Sequence, residues 1–299
     1  MLWIIIKQLF VLYIFIFLGW LFGKLKKEQI SHTGLLSFLL VNLFLPAKVF
    51  NTFAKNFTVD YITNNYKTLF ISVAFLLGIV LVSKLVAHAV SKHGYERKVF
   101  RYSLTLANYA YMGYALAEWI YGESGLTDLI LFCIPFAIYT YTFGYAMLTG
   151  AGNSLKKLIN PLNAAIVLGI IVGLTGLHIP ATVGNVLSNA SGCVAPISMV
   201  LTGMTLSAYP IKELFSDIKI YIIVAVRLLG LPLVCFGICK ILHLDSVIMP
   251  VTLMSCMPCG LNSIVFPKLI GEDCLCGAKL ATLSHLFSVA TIPLWLSLL

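Results

Sequence analysis

Two stretches of this 299-residue chain carry polar groups where apolar helix would be expected. LANYAYMGYALAEW (106–119) holds Asn108, Tyr109, Tyr111, Tyr114 and Gly113, and MSCMPCGLNSIVFPK (254–268) holds Pro258, Gly260, Asn262 and Pro267. Proline removes a backbone donor and clashes with the preceding turn, while glycine loosens a helix further. Backbone amides and carbonyls freed in this way inside a bilayer must be satisfied by protein, water or ligand. The chemistry on offer is the binding of a small polar solute.

Three further groups could take part. Arg227 stands in the middle of IYIIVAVRLLGLPLV, where an ionisable side chain is costly and therefore a functional suspect. Its partner could be a ligand carboxylate, another side chain or a backbone carbonyl. His285 could relay protons, since its ordinary pKa lies near neutrality, or pack as a neutral group. Lys48 follows Pro46 closely and is expected to snorkel to the outer interface; Glu118 and Asp128 flank the outer end of spans four and five and are expected to be solvated. Cys256-x-x-Cys259 followed by Cys274-x-Cys276 resembles zinc-ligand spacing, but the first pair falls in the middle of an apolar, helix-breaking segment. No metal site and no cofactor are expected. HExxH and GxxxxGK[ST] are absent, which argues against a metallopeptidase-type enzyme and a nucleotide-driven pump.

The elements that must position these groups follow from composition. Sixty per cent of the residues are hydrophobic and only 10% are charged, with a mean hydropathy of +0.98. Soluble domains carry about a quarter charged residues. The charges cluster, leaving runs long enough to cross a bilayer as helices of about 20 residues. The expected fold is an all-α polytopic membrane protein. Its ten spans run near 4–23, 33–53, 67–90, 103–121, 126–148, 161–179, 184–207, 218–242, 246–267 and 277–298. The first apolar stretch has no small-residue cleavage site and runs directly into Lys24, so it reads as a retained helix. Most lysines and arginines fall in the odd-numbered connections, around 24–27, 92–101, 156–157, 212–219 and 268–279. The positive-inside bias makes those connections cytoplasmic and puts both termini outside. The same bias accounts for most of the net charge of +9, so no nucleic-acid partner is needed.

The halves match each other. Gly19 and Gly23 in FLGWLFG correspond to Gly169 and Gly173 in VLGIIVG, Pro46 to Pro196, Gly113 to Gly260, and Gly122–Glu123 to Gly271–Glu272. Landmarks at nearly one offset, in one order, predict a five-helix repeat over 1–150 and a second over 151–299. Five is odd, so the second repeat enters the membrane inverted. Pro46 and Pro196 are expected to break spans two and seven. Interrupted segments at matching positions of two such repeats point to a transporter's central site.

At these residues the sequence resembles the auxin efflux carrier family, within the group of bile-acid/sodium-symporter-like transporters. The resemblance spans essentially the whole chain. It rests on LLVNLFLPAKVF, NYAYMGYAL, CVAPISMVLTGMTL and, above all, MPCGLNSIVFPKLIGEDCLCGAKLATLSHLFSVATIPLWLSLL. It implies that spans four and nine are broken and cross each other. It also implies that substrate binds at the crossing, between a scaffold and a transport domain that moves like an elevator. The implied substrates are small organic anions such as malonate, malate or auxin, and the substrate-binding residues become Asn108, Tyr111, Gly113, Pro258, Gly260 and Asn262, with Arg227 added as a candidate. Half-helices with their amide ends turned inward would suit a carboxylate. Sodium-coupled relatives place an acid in the span-nine break, whereas 254–263 has none, which favours proton coupling or uniport. The remaining expected partners are the lipid bilayer and, left open, a second copy of the chain. A bile-acid-type sodium symporter, a membrane sensor or channel, and an intramembrane enzyme are the alternative readings.

Overall fold

The computed structural model describes residues 2–25, 33–150, 159–268 and 270–299. Most of the expected central connection, 149–160, and the lysines at 26, 27, 156 and 157 lie outside the described residues. The helices are α1 (Leu2–Leu25), α2 (Thr33–Asn56), α3 (Val59–Val90), α4 (Gly94–Thr105), α5 (Tyr109–Thr149), α6 (Pro161–Thr175), α7 (Ala181–Ser207), α8 (Ile218–Ile241), α9 (Ile248–Cys256), α10 (Asn262–Lys268) and α11 (Leu275–Leu296). Trp3, Phe10, Phe70, Leu77, Leu81, Val186 and Leu233 are exposed. Large apolar side chains therefore face outward, as hydrocarbon solvent demands. The chain is a multi-pass α-helical membrane protein.

Seven of these helices are long and apolar enough to cross a bilayer unaided: α1, α2, α3, α5, α7, α8 and α11. The expected count of ten differs for local reasons. The segment near 246–267 is cut into α9 and α10, of 9 and 7 residues, and α6 has only 15. The expected fourth and fifth spans share α5, which leaves helical geometry at Gly122 (φ 74°, ψ −168°). Its counterpart Gly271 has φ 73°. Both positions lie in the region that side-chain-bearing residues avoid, which is why glycine stands at each.

Prolines within spans are absorbed nearby. Pro46 in α2 follows a π-helical turn over Leu40–Phe44, and such turns take up a lost i→i−4 bond. Pro196 follows a break in α7 at Cys193, between Ala181–Gly192 and Val194–Ser207.

The glycine pairs of α1 and α6 are sites of close backbone approach. A Cβ on Gly19 would lie 2.1 Å from the Val200 carbonyl oxygen in α7, and one on Gly23 would lie 1.9 Å from Ser207 Oγ. On α6, a Cβ at Gly169 would lie 3.0 Å from the Phe50 carbonyl oxygen in α2, and one at Gly173 would lie 2.6 Å from that of Phe57. Val200 and Ser207 stand 150 positions after Phe50 and Phe57. Thus α1 sits on α7 as α6 sits on α2. Small residues that let helices approach this closely are the usual device for packing within a bilayer.

Gly19→Ala should therefore overpack the α1–α7 seam at a cost of about 1–3 kcal/mol and lower the melting temperature in detergent. Gly184→Ala, where a Cβ meets nothing within 4 Å, should leave the melting temperature equal or higher. Equal melting of both variants would show that the seam yields.

Candidate functional site

Two broken helices meet at the centre of the fold. α4 ends at Thr105, Leu106 is extended (φ −115°, ψ 111°), and helix resumes at Tyr109. α9 ends at Cys256, Met257 is extended (φ −68°, ψ 148°), and α10 begins at Asn262. The two extended segments pair antiparallel, Ala107 against Cys259. The Asn108 amide donates to the Pro258 carbonyl at 2.8 Å, and the Gly260 amide donates to the Leu106 carbonyl at 3.2 Å. Pro258 stops α9 and supplies an acceptor. A Cβ on Gly260 would press within 3.3 Å of the Leu106 and Ala107 carbonyl oxygens, so glycine permits the crossing.

Arg227 holds the carbonyl side of this crossing. It lies on a π-helical turn of α8 (Val226–Gly230) and is fully buried. Its Nη1 donates to the Leu104 carbonyl at 3.0 Å, its Nη2 to Met254 at 3.0 Å and its Nε to Met257 at 3.1 Å. These carbonyls belong to the C-terminal ends of α4 and α9, where helix dipoles favour a cation. Arg227 does not line either cavity at the crossing. Of the partners open to it in the sequence, the structure selects the carbonyls.

His285 of α11 approaches from the other side. Its Nδ1 lies 2.7 Å from the Ala281 carbonyl oxygen, and its Nε2 lies 3.1 Å from Asn108 Nδ2. A carbonyl only accepts, so Nδ1 carries the hydrogen and Nε2 of the neutral ring accepts from the Asn108 amide. Next to it, Ser284 Oγ accepts from the Cys259 amide at 3.0 Å. The Tyr13 hydroxyl of α1 donates to the His285 carbonyl at 2.6 Å.

A cavity of about 40 Å³ lies against the crossing, lined among others by Asn108, Tyr109, Tyr111, Tyr141, Gly260 and Asn262. A single water needs only about 10–15 Å³ by this measure. Among the described residues, the amides of Tyr109, Ala110, Tyr111, Leu261 and Asn262 take no acceptor. All five residues line this cavity. Tyr111, Tyr141, Leu261 and Asn262 also line a second cavity of about 630 Å³, which runs to Thr33, Tyr209 and Lys268. Lys24, which donates to the Tyr209 carbonyl, lies at that end as well.

The structure thus brings Asn108, Tyr111, Gly260 and Asn262 to one cavity. Pro258 and Gly113 stand behind it, Gly113 with Met257 as its neighbour. Pro46 and Pro196 shape their own helices. Tyr141, shared by both cavities, was not singled out from the sequence, although the polar run Tyr139–Thr142 inside an apolar span marked it. Lys48 does not snorkel outward. It is buried and forms an ion pair with Glu118 at 2.5 Å, joining α2 to α5, and the more exposed Lys55–Glu123 pair at 3.6 Å joins the same helices. Eight cysteines are free, and among the described residues no cluster of three or more metal-ligating side chains forms.

The family model described as membrane transport protein matches residues 4–157 and 152–296 of the chain. An uncharacterised transporter of Methanocaldococcus jannaschii is 25% identical over 292 residues, covering 92% of this chain and 91% of that protein. A provisionally named malonate transporter of Rhizobium meliloti is 23% identical over 298 residues, covering 93% and 90%.

Replacing Arg227 tests the carbonyl side. Arg227→Met strands three buried carbonyls, each costing about 1–3 kcal/mol, so its melting temperature should fall steeply. Arg227→Lys, with one point of donation, should recover only part of the loss. A Met variant that melts with the wild-type protein would show that these carbonyls find other donors.

Proposed function

We propose, from the premise that this chain belongs to the membrane transport protein family, that it is a secondary transporter for a small organic anion. The observation that carries the reading is the set of five amides without acceptors around the small cavity. Free amide donors on residues that line one small cavity stabilise negative charge there. The cavity suits one carboxylate, and the larger cavity beyond Tyr111 and Tyr141 takes the rest of the molecule. Malonate is the first candidate, in line with the name of the R. meliloti relative, and malate or another short carboxylate is equally suited.

The transport cycle is elevator-like alternating access. The tightly seated pairs α1–α7 and α2–α6 form the scaffold, and the crossing elements form the part that moves. Leu45 and Leu162 of the scaffold face the small cavity, so the site lies between the two parts. The corresponding glycine contacts at an offset of 150, with Gly122 and Gly271 both at positive φ, support two inverted repeats, 1–150 and 151–299, and a count of ten spans with α4–α5 and α9–α10 as the broken ones. The positive-inside bias places the lysine-rich end in the cytoplasm, both termini outside and the protein in the cell membrane. The structure then corresponds to a state whose large cavity serves the cytoplasmic side, with the Lys48–Glu118 pair closing the far side.

Labelled malonate should enter reconstituted vesicles under an imposed gradient without sodium, because 254–263 offers no carboxylate to hold that ion. Strict sodium dependence at clamped pH would overturn this part of the reading. Asn262→Ala removes a hydrogen bond to a charged group, worth about 1.5–3 kcal/mol, so malonate affinity should fall about 10- to 100-fold while the melting temperature stays near wild type. Unchanged affinity with a depressed melting temperature would make Asn262 a structural residue instead.

A further inference from the structure

The Asn108–His285 pair has a property that anion binding alone does not require. The backbone of Asn108 is fixed on both sides: its amide donates to Pro258, and its carbonyl accepts from Met112 and Gly113 at 3.1 and 3.3 Å. Only the side-chain amide can turn, about a soft terminal torsion, and its oxygen and nitrogen ends are nearly equal in size. While His285 is neutral, Nε2 accepts from Asn108 Nδ2. Asn108 Oδ1 then takes no partner among the described residues, in a residue that lines the small cavity and is only 3% exposed. With Nδ2 held on His285, the free end of this amide is an acceptor oxygen, which is the wrong polarity for a carboxylate.

We infer that protonation of His285 reverses the Asn108 side-chain amide, so that the site gains donors and a positive charge only when a proton is bound, and anion and proton are taken up together. This rests on the anion-site reading given above. In the step, Nε2 takes one proton from a hydronium ion supplied by the solution, which is left as water, and the ring becomes an imidazolium. Nε2–H then needs an acceptor, so the amide turns half a revolution and presents Oδ1 to it. The two N–H bonds of Nδ2 are released toward the cavity, and Nδ1–H keeps its bond to Ala281 throughout. The imidazolium charge offsets that of one carboxylate. By linkage, the anion must favour the proton as strongly as the proton favours the anion.

The elements packed on α11 carry, among their titratable and charged groups, Tyr13 of α1, whose hydroxyl meets the His285 carbonyl, and Tyr102 of α4. They also carry Tyr221 and Arg227 of α8, with Tyr221 against Phe287, and Cys256 and Cys259 of α9 and its break, with the Cys259 amide on Ser284. The Val194–Ser207 part of α7 brings hydroxyls and thioethers only. Lys212, Glu213, Lys219 and Lys268 lie toward the Leu275 end, where Lys279 reaches Ser216 at 3.3 Å. Arg227 is already bound to three carbonyls, and no carboxylate of a described residue forms an ion pair with His285. A proton on His285 is therefore best compensated by the anion itself, and His285 acts as a positioning residue through Asn108.

Two measurements on the intact protein in detergent decide this. First, nitrogen-15 NMR of histidine- and asparagine-labelled protein, with His285→Gln and Asn108→Ala for assignment, reads the pair with no anion present. We expect the Nδ1–H tautomer at alkaline pH, and an Asn108 side-chain resonance that shifts with the same midpoint as the His285 ring on acidification. An Nε2–H tautomer, or an Asn108 resonance that ignores the titration of His285, overturns the inference whatever malonate does. Second, malonate affinity is measured over pH values at which malonate stays a dianion. Above the His285 midpoint, the wild-type dissociation constant should fall about tenfold for each unit of pH decrease, one proton entering with each anion. His285→Gln should bind with no pH slope. A wild-type affinity independent of pH, or an unchanged slope in His285→Gln, also overturns the inference. A protein that does not bind malonate at any pH refutes the substrate reading, and the NMR titration still decides the switch.

Discussion

The structure depends on one constraint: within hydrocarbon every backbone amide and carbonyl needs a partner inside the protein. Breaking two helices at mid-depth exposes both kinds of group at once. The molecule treats the two kinds differently. The carbonyl ends of α4 and α9 are closed by a guanidinium that reaches three of them, and two further backbone bonds tie the breaks to each other. The amide ends are left facing a cavity. A permanent cation seals the negative ends, so the positive ends become the available surface. That asymmetry is the physical basis of the anion site proposed above.

The same constraint separates the molecule into stiff and breakable parts. At Gly19, Gly23, Gly169 and Gly173, backbone lies against backbone or a short hydroxyl with no room for a methyl group. Such contacts are dispersive, short-ranged and hard to slide. The boundary of α2 with α5 contains instead the Lys48–Glu118 pair, one partner buried and the other about a third exposed. A charged pair at such an edge can exchange its partner for water in a way that a glycine seam cannot. The contacts that hold the bundle and the contacts that could part during a cycle are therefore chemically distinct.

Much of this was legible in the sequence because it is written in backbone chemistry. Pro258 and Gly260, with Asn108 at the facing position, marked both breaks, since residues of those types are conspicuous in an apolar span. The glycine pairs were legible for the same reason, and so were Gly122 and Gly271, whose positive φ explains why glycine recurs there. What stayed hidden were partners set by three-dimensional proximity. Arg227 reaches carbonyls 27, 30 and 123 positions away, and a carbonyl leaves no mark in residue type. Lys48 and Glu118 each looked like an interfacial charge in isolation, and only the packing of α5 on α2 makes them a pair. The breaks within spans were hidden from hydropathy for a related reason. Hydropathy sees apolar length, and a helix cut at Met257 keeps its hydropathy while losing its continuity.

The division of the cavity bears on selectivity. The space at the crossing is about 40 Å³ and its donors are backbone amides of the helices that carry them, whereas the 630 Å³ beyond it is walled by Phe38, Val41, Leu201, Val265 and Phe266, with Asn42, Thr205, Tyr209 and Lys268 among its polar lining. A narrow polar socket opening into a roomy cavity of mixed lining constrains one end of a molecule more tightly than the other. Removing a charged hydrogen-bond partner costs far more than adding or deleting a methylene in an apolar wall. If the proposed anion site holds, selection by this geometry would fall on the terminal anionic group first and on chain length second. Short carboxylates that differ only in the body of the molecule would then compete for one socket, and their ranking would be set by how Tyr111 and Tyr141, which stand at the junction of the two spaces, admit the first carbon after the charge.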